Sequence, residues 1–177
     1  MLKPEVFDGV LKELGQTYRL YAPVRKKGEG RYTDVDVVRY DFVQSAGEIE
    51  LEAKSDYAFK EFLTPLSQTL FFFTENEVKE ADIDEKPVLI FLRSCDMHAL
   101  KRLDHMYLEN GSEKDPFYER LRDQVKFVLI GCSHSYEDCF CVDMGSNETK
   151  EGYVFSVDFV DGEYRCKVLD DEIAKTT

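Results

Sequence analysis

Two stretches decide the fold: Pro87-Val-Leu-Ile-Phe-Leu-Arg93 and Lys126-Phe-Val-Leu-Ile-Gly131. Each is a continuous apolar run, not an alternating one. That pattern belongs to strands covered on both faces, as in parallel sheets with helices packed above and below. Between them, Asp96 to Leu108 sets Leu100, Leu103 and Tyr107 on one helical stripe, and Asp115 to Gln124 reads as a second, charged helix. Strand, helix and strand make a βαβ unit, expected to be parallel with a right-handed crossover.

Outward from this unit, the N-terminal side reads as a helix over 4–15, with Val6, Val10, Leu11 and Leu14 at helical spacing and Gly15 as its stop. Strands are expected over Thr17–Pro23 and Tyr32–Val43, joined by a basic loop, Arg25–Arg31, that reads as a solvated hairpin. Residues 55–73 are expected to be mostly helix, broken near Pro65, with Phe71, Phe72 and Phe73 in the core. Thr74 and Glu77 match a capping box, so a short helix is expected through Ala81, followed by a polar linker to Lys86. On the C-terminal side, Cys132–Asn147 is a loop. Tyr153–Val160 and Tyr164–Leu169 form a hairpin about Asp161-Gly162, and 170–177 is a frayed tail. The fold class is α/β (α+β): a central mixed sheet with a βαβ unit and flanking helices, in a single domain over 1–177 with no internal repeat.

Composition narrows the function. The chain has 177 residues, 43% apolar and 13% aromatic, enough to build a core. Lysine plus arginine number 23 and aspartate plus glutamate 36, a net charge of −13. Phosphate backbones and anionic membranes need clustered positive charge, so nucleic-acid and membrane-surface binding are set aside. The chain has no apolar run of membrane-spanning length, and its first residues have no secretory pattern. The expected compartment is the cytoplasm, where thiols stay reduced and grouped cysteines point to metal or redox chemistry.

Four of the five cysteines gather around the βαβ unit: Cys95, Cys132, Cys139 and Cys141. Cys95 lies two residues past the first buried strand and Cys132 just past the second. Parallel neighbours would bring both to the carboxyl edge of the sheet, where open α/β sheets bind ligands. Cys139 and Cys141 can fold back from the following loop. Four thiolates suit a 4Fe–4S cluster or a structural zinc, although the spacing matches neither the ferredoxin run nor paired zinc knuckles. Buried free cysteines are the plain alternative. A helix start beside Cys95 is expected to lower its pKa. Asp96 and His98 are alternate ligands, Asp96 reading otherwise as a helix N-cap and His98 as a packing or surface residue. His105 and His134 read as surface and loop residues. Lys101 and Arg102 read as solvated, and Cys166 as a small core residue. A nucleophilic Cys95 has no placed His–acid pair to activate it.

The stretch Phe91-Leu-Arg-Ser-Cys-Asp-Met-His-Ala-Leu-Lys-Arg-Leu-Asp104 resembles a signature of the electron-transfer subunit of anaerobic sulfite reductases. It is similar also to the β subunit of sulfhydrogenases. Leu63-Thr-Pro-Leu-Ser-Gln-Thr-Leu-Phe71, Asp115-Pro-Phe-Tyr-Glu-Arg-Leu-Arg122 and Cys139-Phe-Cys-Val-Asp-Met-Gly145 continue the resemblance, which spans about residues 15–170. Arg-Ser-Cys-Asp together with Cys-Phe-Cys favours the sulfite reductase branch. The resemblance implies an electron-transfer component of a cytosolic complex. It would stand between two other subunits, one flavin-bearing and one sirohaem-bearing, the latter reducing sulfite to sulfide. The resemblance implies a 4Fe–4S cluster at Cys95, Cys132, Cys139 and Cys141. It also implies a C-terminal ferredoxin-like domain with two further clusters. No C-x₂-C-x₂-C-x₃-C-P run occurs here, so the chain is expected to correspond to the N-terminal domain. A docking domain holding zinc or no metal is the other reading.

Overall fold

The computed structural model describes every residue except Thr33, Asp82, Ile83 and the stretch 175–177. The expected linker at 81–86 and the tail at 170–177 therefore fall partly outside the described residues. In chain order the elements are α1 (Pro4–Thr17), β1 (Arg19–Lys26), β2 (Val37–Val43), β3 (Phe71–Phe73), β4 (Val78–Glu80), β5 (Val88–Arg93), α2 (Ser94–Asp104), α3 (Pro116–Asp123), β6 (Val125–Ile130), β7 (Phe155–Val160), β8 (Glu163–Val168) and α4 (Asp171–Ala174).

Six strands form one sheet in the order β2-β1-β5-β6-β7-β8. The four central strands run parallel, and β2 and β8 are antiparallel at the two edges. The βαβ unit is β5-α2-α3-β6, with Val88 opposite Val125 and Arg93 opposite Ile130. Every residue of β5 is buried. Leu89 and Phe91 face a core shared with Phe7, Leu11 and Leu14 of α1. Val88, Ile90 and Leu92 face a second core with Met97 and Leu100 of α2 and Tyr118 of α3. The uninterrupted apolar run is thus explained by two helix-bearing faces. An α/β sheet with a parallel βαβ unit is the architecture the sequence implies.

Several local expectations are corrected. Helix α1 runs through Gly15 to Thr17, and its buried stripe is Phe7, Leu11 and Leu14, with Val6 exposed. Pro23 lies inside β1, but β1 pairs with β5 only over Arg19–Tyr21, so the missing N–H leaves no gap in that ladder. Residues 55–70 hold one 3₁₀ turn, Phe59–Glu61, instead of a long helix. Thr74 does accept the Glu77 backbone N–H at 3.2 Å, yet it closes the turn between β3 and β4 instead of starting a helix. Phe71, Phe72 and Phe73 are 52%, 60% and 74% exposed, not core. Helix α2 passes into a π-helical turn over His105–Glu109. Among the described residues, no helix is long and apolar enough to cross a membrane.

Candidate metal centre

Strand β5 passes into α2 with no intervening loop, so the rim of the sheet is also a helix start. Arg93 ends β5 opposite Ile130, the last residue of β6. Cys95 and Cys132 each lie two residues beyond this pair. Cys95 is partly buried in the first turn of α2, and Cys132 is exposed at the start of the loop that leaves β6. Cys139 and Cys141 are partly buried farther along that loop.

Arg93 organises the rim. It is the one charged side chain buried among the described residues. Its Nη1 donates to Cys132 Sγ at 3.2 Å and to the Gly131 carbonyl at 3.4 Å. Its Nη2 donates to the carbonyls of Leu51 at 2.9 Å and Ala53 at 3.1 Å. The guanidinium also lies 5.0 Å from the Tyr136 ring centre. One side chain thus holds the 51–53 segment, the loop after β6 and Tyr136 to the same edge. The Glu50 N–H donates to the Pro23 carbonyl at 2.7 Å, which ties the start of that segment to β1 beyond the point where β5 leaves it. A Cβ at Gly131 would stand 1.6 Å from Asp158 Oδ1, so any larger residue here requires the Asp158 side chain to turn aside.

The second half of the loop is fastened to α2. Ser94 Oγ donates to Thr149 Oγ1 at 3.2 Å, and His98 Nε2 lies 2.9 Å from the Glu148 carbonyl. Lys101, an exposed residue, lies 3.7 Å from Glu151. The turn carrying Cys139 and Cys141 is closed by Ser146 N–H to the Cys141 carbonyl at 2.8 Å and Gly145 N–H to the Val142 carbonyl at 3.0 Å. Gly145 has φ near 61°, which suits glycine. Phe140, Val142 and Met144 around these cysteines are exposed.

Electrostatics show which thiols are neighbours. Burial pushes the Cys95 thiol up to about 12, and the nearby Asp96, Cys141 and Cys132 add to the rise. The expected lowering by the helix start is therefore overturned: burial and a ring of acidic neighbours outweigh it. Burial likewise raises Asp96 above its usual range, although the Arg93 backbone N–H, the Arg93 charge and the Tyr40 hydroxyl work against it. Asp96 is the third residue of α2, where it reaches back to the N–H of the capping residue Arg93. Cys132 and Cys139 both act on Tyr136, whose hydroxyl burial raises most and Arg93 lowers.

Cys95 thus senses Cys132 and Cys141, and Tyr136 senses Cys132 and Cys139. Cys95 and Cys132 follow the carboxyl ends of β5 and β6, and Cys139 and Cys141 lie farther along the loop that leaves β6. They are not drawn into a closed ligand set: among the described residues, no group of three or more His, Cys, Asp or Glu side chains could hold a metal ion. His98 is bound to the loop backbone. His134 packs on Tyr136 at 4.8 Å and His105 pairs with Glu109 at 3.0 Å. Cys166 is in β8, and burial raises its thiol to about 11.

Cysteine is the donor type a thiolate-bound cluster takes, but among the described residues these side chains are not gathered into one set. The Tyr136 hydroxyl is buried without a hydrogen-bond partner. Cys132 and Cys139 act on it electrostatically, without a hydrogen bond from the hydroxyl to either sulfur. Sequence reading passed over Arg93, Tyr136 and Tyr40. Arg93 alone carries a signal there, as a charge closing an otherwise apolar run.

The chain is 35% identical over 161 residues to sulfhydrogenase 2 subunit beta of Pyrococcus furiosus. The match covers 90% of this chain and 44% of the relative, so the chain spans less than half of that protein's length. No family model matches the chain. No solved structure matches it either. At this identity, along nearly all of its length, the chain is related to that sulfhydrogenase β subunit.

Proposed function

We propose, from this relationship and the cysteine-bearing rim, that the chain is the N-terminal domain of an electron-transfer subunit in a multi-subunit oxidoreductase. Cys95, Cys132, Cys139 and Cys141 would hold a 4Fe–4S cluster, with Asp96 and His98 as alternate ligands. The cluster would supply a one-electron relay. The protein's part is to exclude water and to aim hydrogen-bond donors at sulfur, as Arg93 does at Cys132. No general acid, base or nucleophile is assigned.

The finer reading is an anaerobic sulfite reductase of the cytoplasm. A flavin-bearing subunit would then deliver electrons and a sirohaem-bearing one consume them. Its support is the Arg-Ser-Cys-Asp and Cys-Phe-Cys resemblance. The single observation that carries the proposal is the pairing of Arg93 with Ile130, which sets Cys95 and Cys132 at equal distance along the chain beyond one edge.

The test is a redox titration of anaerobically prepared protein, followed by electron paramagnetic resonance. A cluster signal that appears on reduction and disappears in Cys95→Ser and Cys132→Ser supports the proposal. Protein that remains silent at every potential contradicts it.

A second reading is a docking domain with zinc or no metal. The observation that favours its metal-free form is that, among the described residues, no group of three or more His, Cys, Asp or Glu side chains could hold a metal ion. Zinc binding without a redox signal would select its zinc-bound form.

A further inference from the structure

Strands β3 and β4 form a two-stranded sheet of their own, separate from the main one. Phe71 pairs with Glu80, Phe72 with Lys79 and Phe73 with Val78. Side chains alternate across a strand, so Phe71, Phe73, Val78 and Glu80 share one face, and Phe72 and Lys79 take the other. The rings of Phe71 and Phe73 are 6.1 Å apart. All of these apolar side chains are exposed, as are Leu70 beside them and Leu66 before them. A strand that rests one face on its own core alternates apolar and polar residues, whereas one apolar on both faces is a strand covered on both sides. Here the second kind stands in solvent. Exposed apolar patches of this kind mark interaction sites.

Charge indicates what covers it. The segment Thr74–Glu85 holds six acids, Glu75, Glu77, Glu80, Asp82, Asp84 and Glu85, against Lys79 alone; Asp84 pairs with Arg19 at 2.9 Å and Glu80 lies 3.7 Å from Arg120, while Glu75 and Glu77 belong to the hairpin turn. The chain as a whole carries −13. Self-association through this hairpin would set acid against acid, and two-fold pairing would leave one ring face open. We infer that the β3–β4 hairpin is a docking arm, and that its occupant is a partner protein presenting an apolar groove rimmed by lysine and arginine. The groove encloses Phe72 on one side and Phe71 and Phe73 on the other, while the basic rim meets the acidic turn. The inference rests on the reading of the chain as one component of an assembly. It is independent of whether the cysteine rim holds iron.

The experiment is photo-crosslinking in the intact complex, purified anaerobically, with p-benzoylphenylalanine in place of Phe72. The expected result is a crosslink to a different polypeptide, within an apolar segment flanked by basic residues. In parallel, Phe72→Asp should lower co-purification of that polypeptide at least tenfold, with Phe72→Leu close to the parent. The isolated Phe72→Asp chain should melt like the parent, because the ring contacts no core. A crosslink to a second copy, to another segment of the same polypeptide or to nothing overturns the inference. So does an intact complex carrying Phe72→Asp. A cluster signal in protein whose hairpin fails these tests leaves the electron-transfer reading standing, and the reverse outcome leaves the docking arm standing.

Discussion

The guanidinium of Arg93 lies 3.2 Å from the sulfur of Cys132, joining the last residue of one buried strand to the loop that leaves its neighbour. The same group closes on the carbonyls of Leu51 and Ala53. A buried cation with sulfur and carbonyl partners ties the 51–53 segment and the loop after β6 to one rim.

Arg93→Met should therefore destabilise the protein by about 2–4 kcal/mol, since it leaves buried acceptors without a donor. Arg93→Lys should recover only part of the loss, because an ammonium cannot span both sets of partners. Urea denaturation of the three proteins checks the order. Equal midpoints for parent and Arg93→Met would refute the clamp.

The aromatic residues of the two sheets should answer differently to truncation. Phe91 is fully buried between α1 and the sheet, so Phe91→Ala should cost about 3–5 kcal/mol. Phe73, mostly exposed on the hairpin, should cost less than about 0.5 kcal/mol as Phe73→Ala in the isolated chain. Denaturant midpoints measure both.

This contrast shows where the sequence is legible. The β5-α2-α3-β6 unit can be read because its strands are apolar at nearly every position, a pattern that two-sided burial produces. The carboxyl-edge placement of Cys95 and Cys132 follows from that unit alone. Residues 55–70 mislead because Phe59, Phe62 and Leu63 do share one side of a turn and do pack on the second core. That turn stops short of Pro65, whose ring disfavours helix in the residue before it. Phe71–Phe73 mislead for another reason: hydrophobicity records a need for cover, and does not say which molecule provides it. Whether the four sulfurs close on one ion depends on a loop of more than twenty residues, whose path is fixed by contacts such as Ser94–Thr149 and His98–Glu148 that no spacing rule reveals.

Asp104 anchors α2 to α3. It accepts from the Tyr118 hydroxyl at 2.7 Å and from Arg122 Nε and Nη2 at 2.9 and 3.1 Å. Tyr118→Phe should cost about 1 kcal/mol, and Asp104→Ala more, because it removes both partners at once. If the two variants match the parent in urea, the junction is not held this way.

Alkaline pH should unfold the protein early. Burial raises Tyr21 from its ordinary 10.0 to about 12, and Cys166 from 9.0 to about 11. The native state then keeps protons that the unfolded chain releases, so this stability is complete below about pH 9 and is lost as pH rises through 11 and 12. Tyr21→Phe should flatten the decline above pH 10, where the unfolded phenol begins to ionise. A decline of unchanged slope would assign it to other groups.

The most direct measurement is X-ray absorption at the iron and zinc edges of the chain purified, or reconstituted with iron and sulfide, without oxygen. An iron edge with an all-sulfur first shell and neighbouring iron atoms, lost in Cys95→Ser and Cys141→Ser, is the predicted result. A sample with no bound iron, or with metal in a nitrogen and oxygen shell, would contradict the claim that these thiols share one cluster.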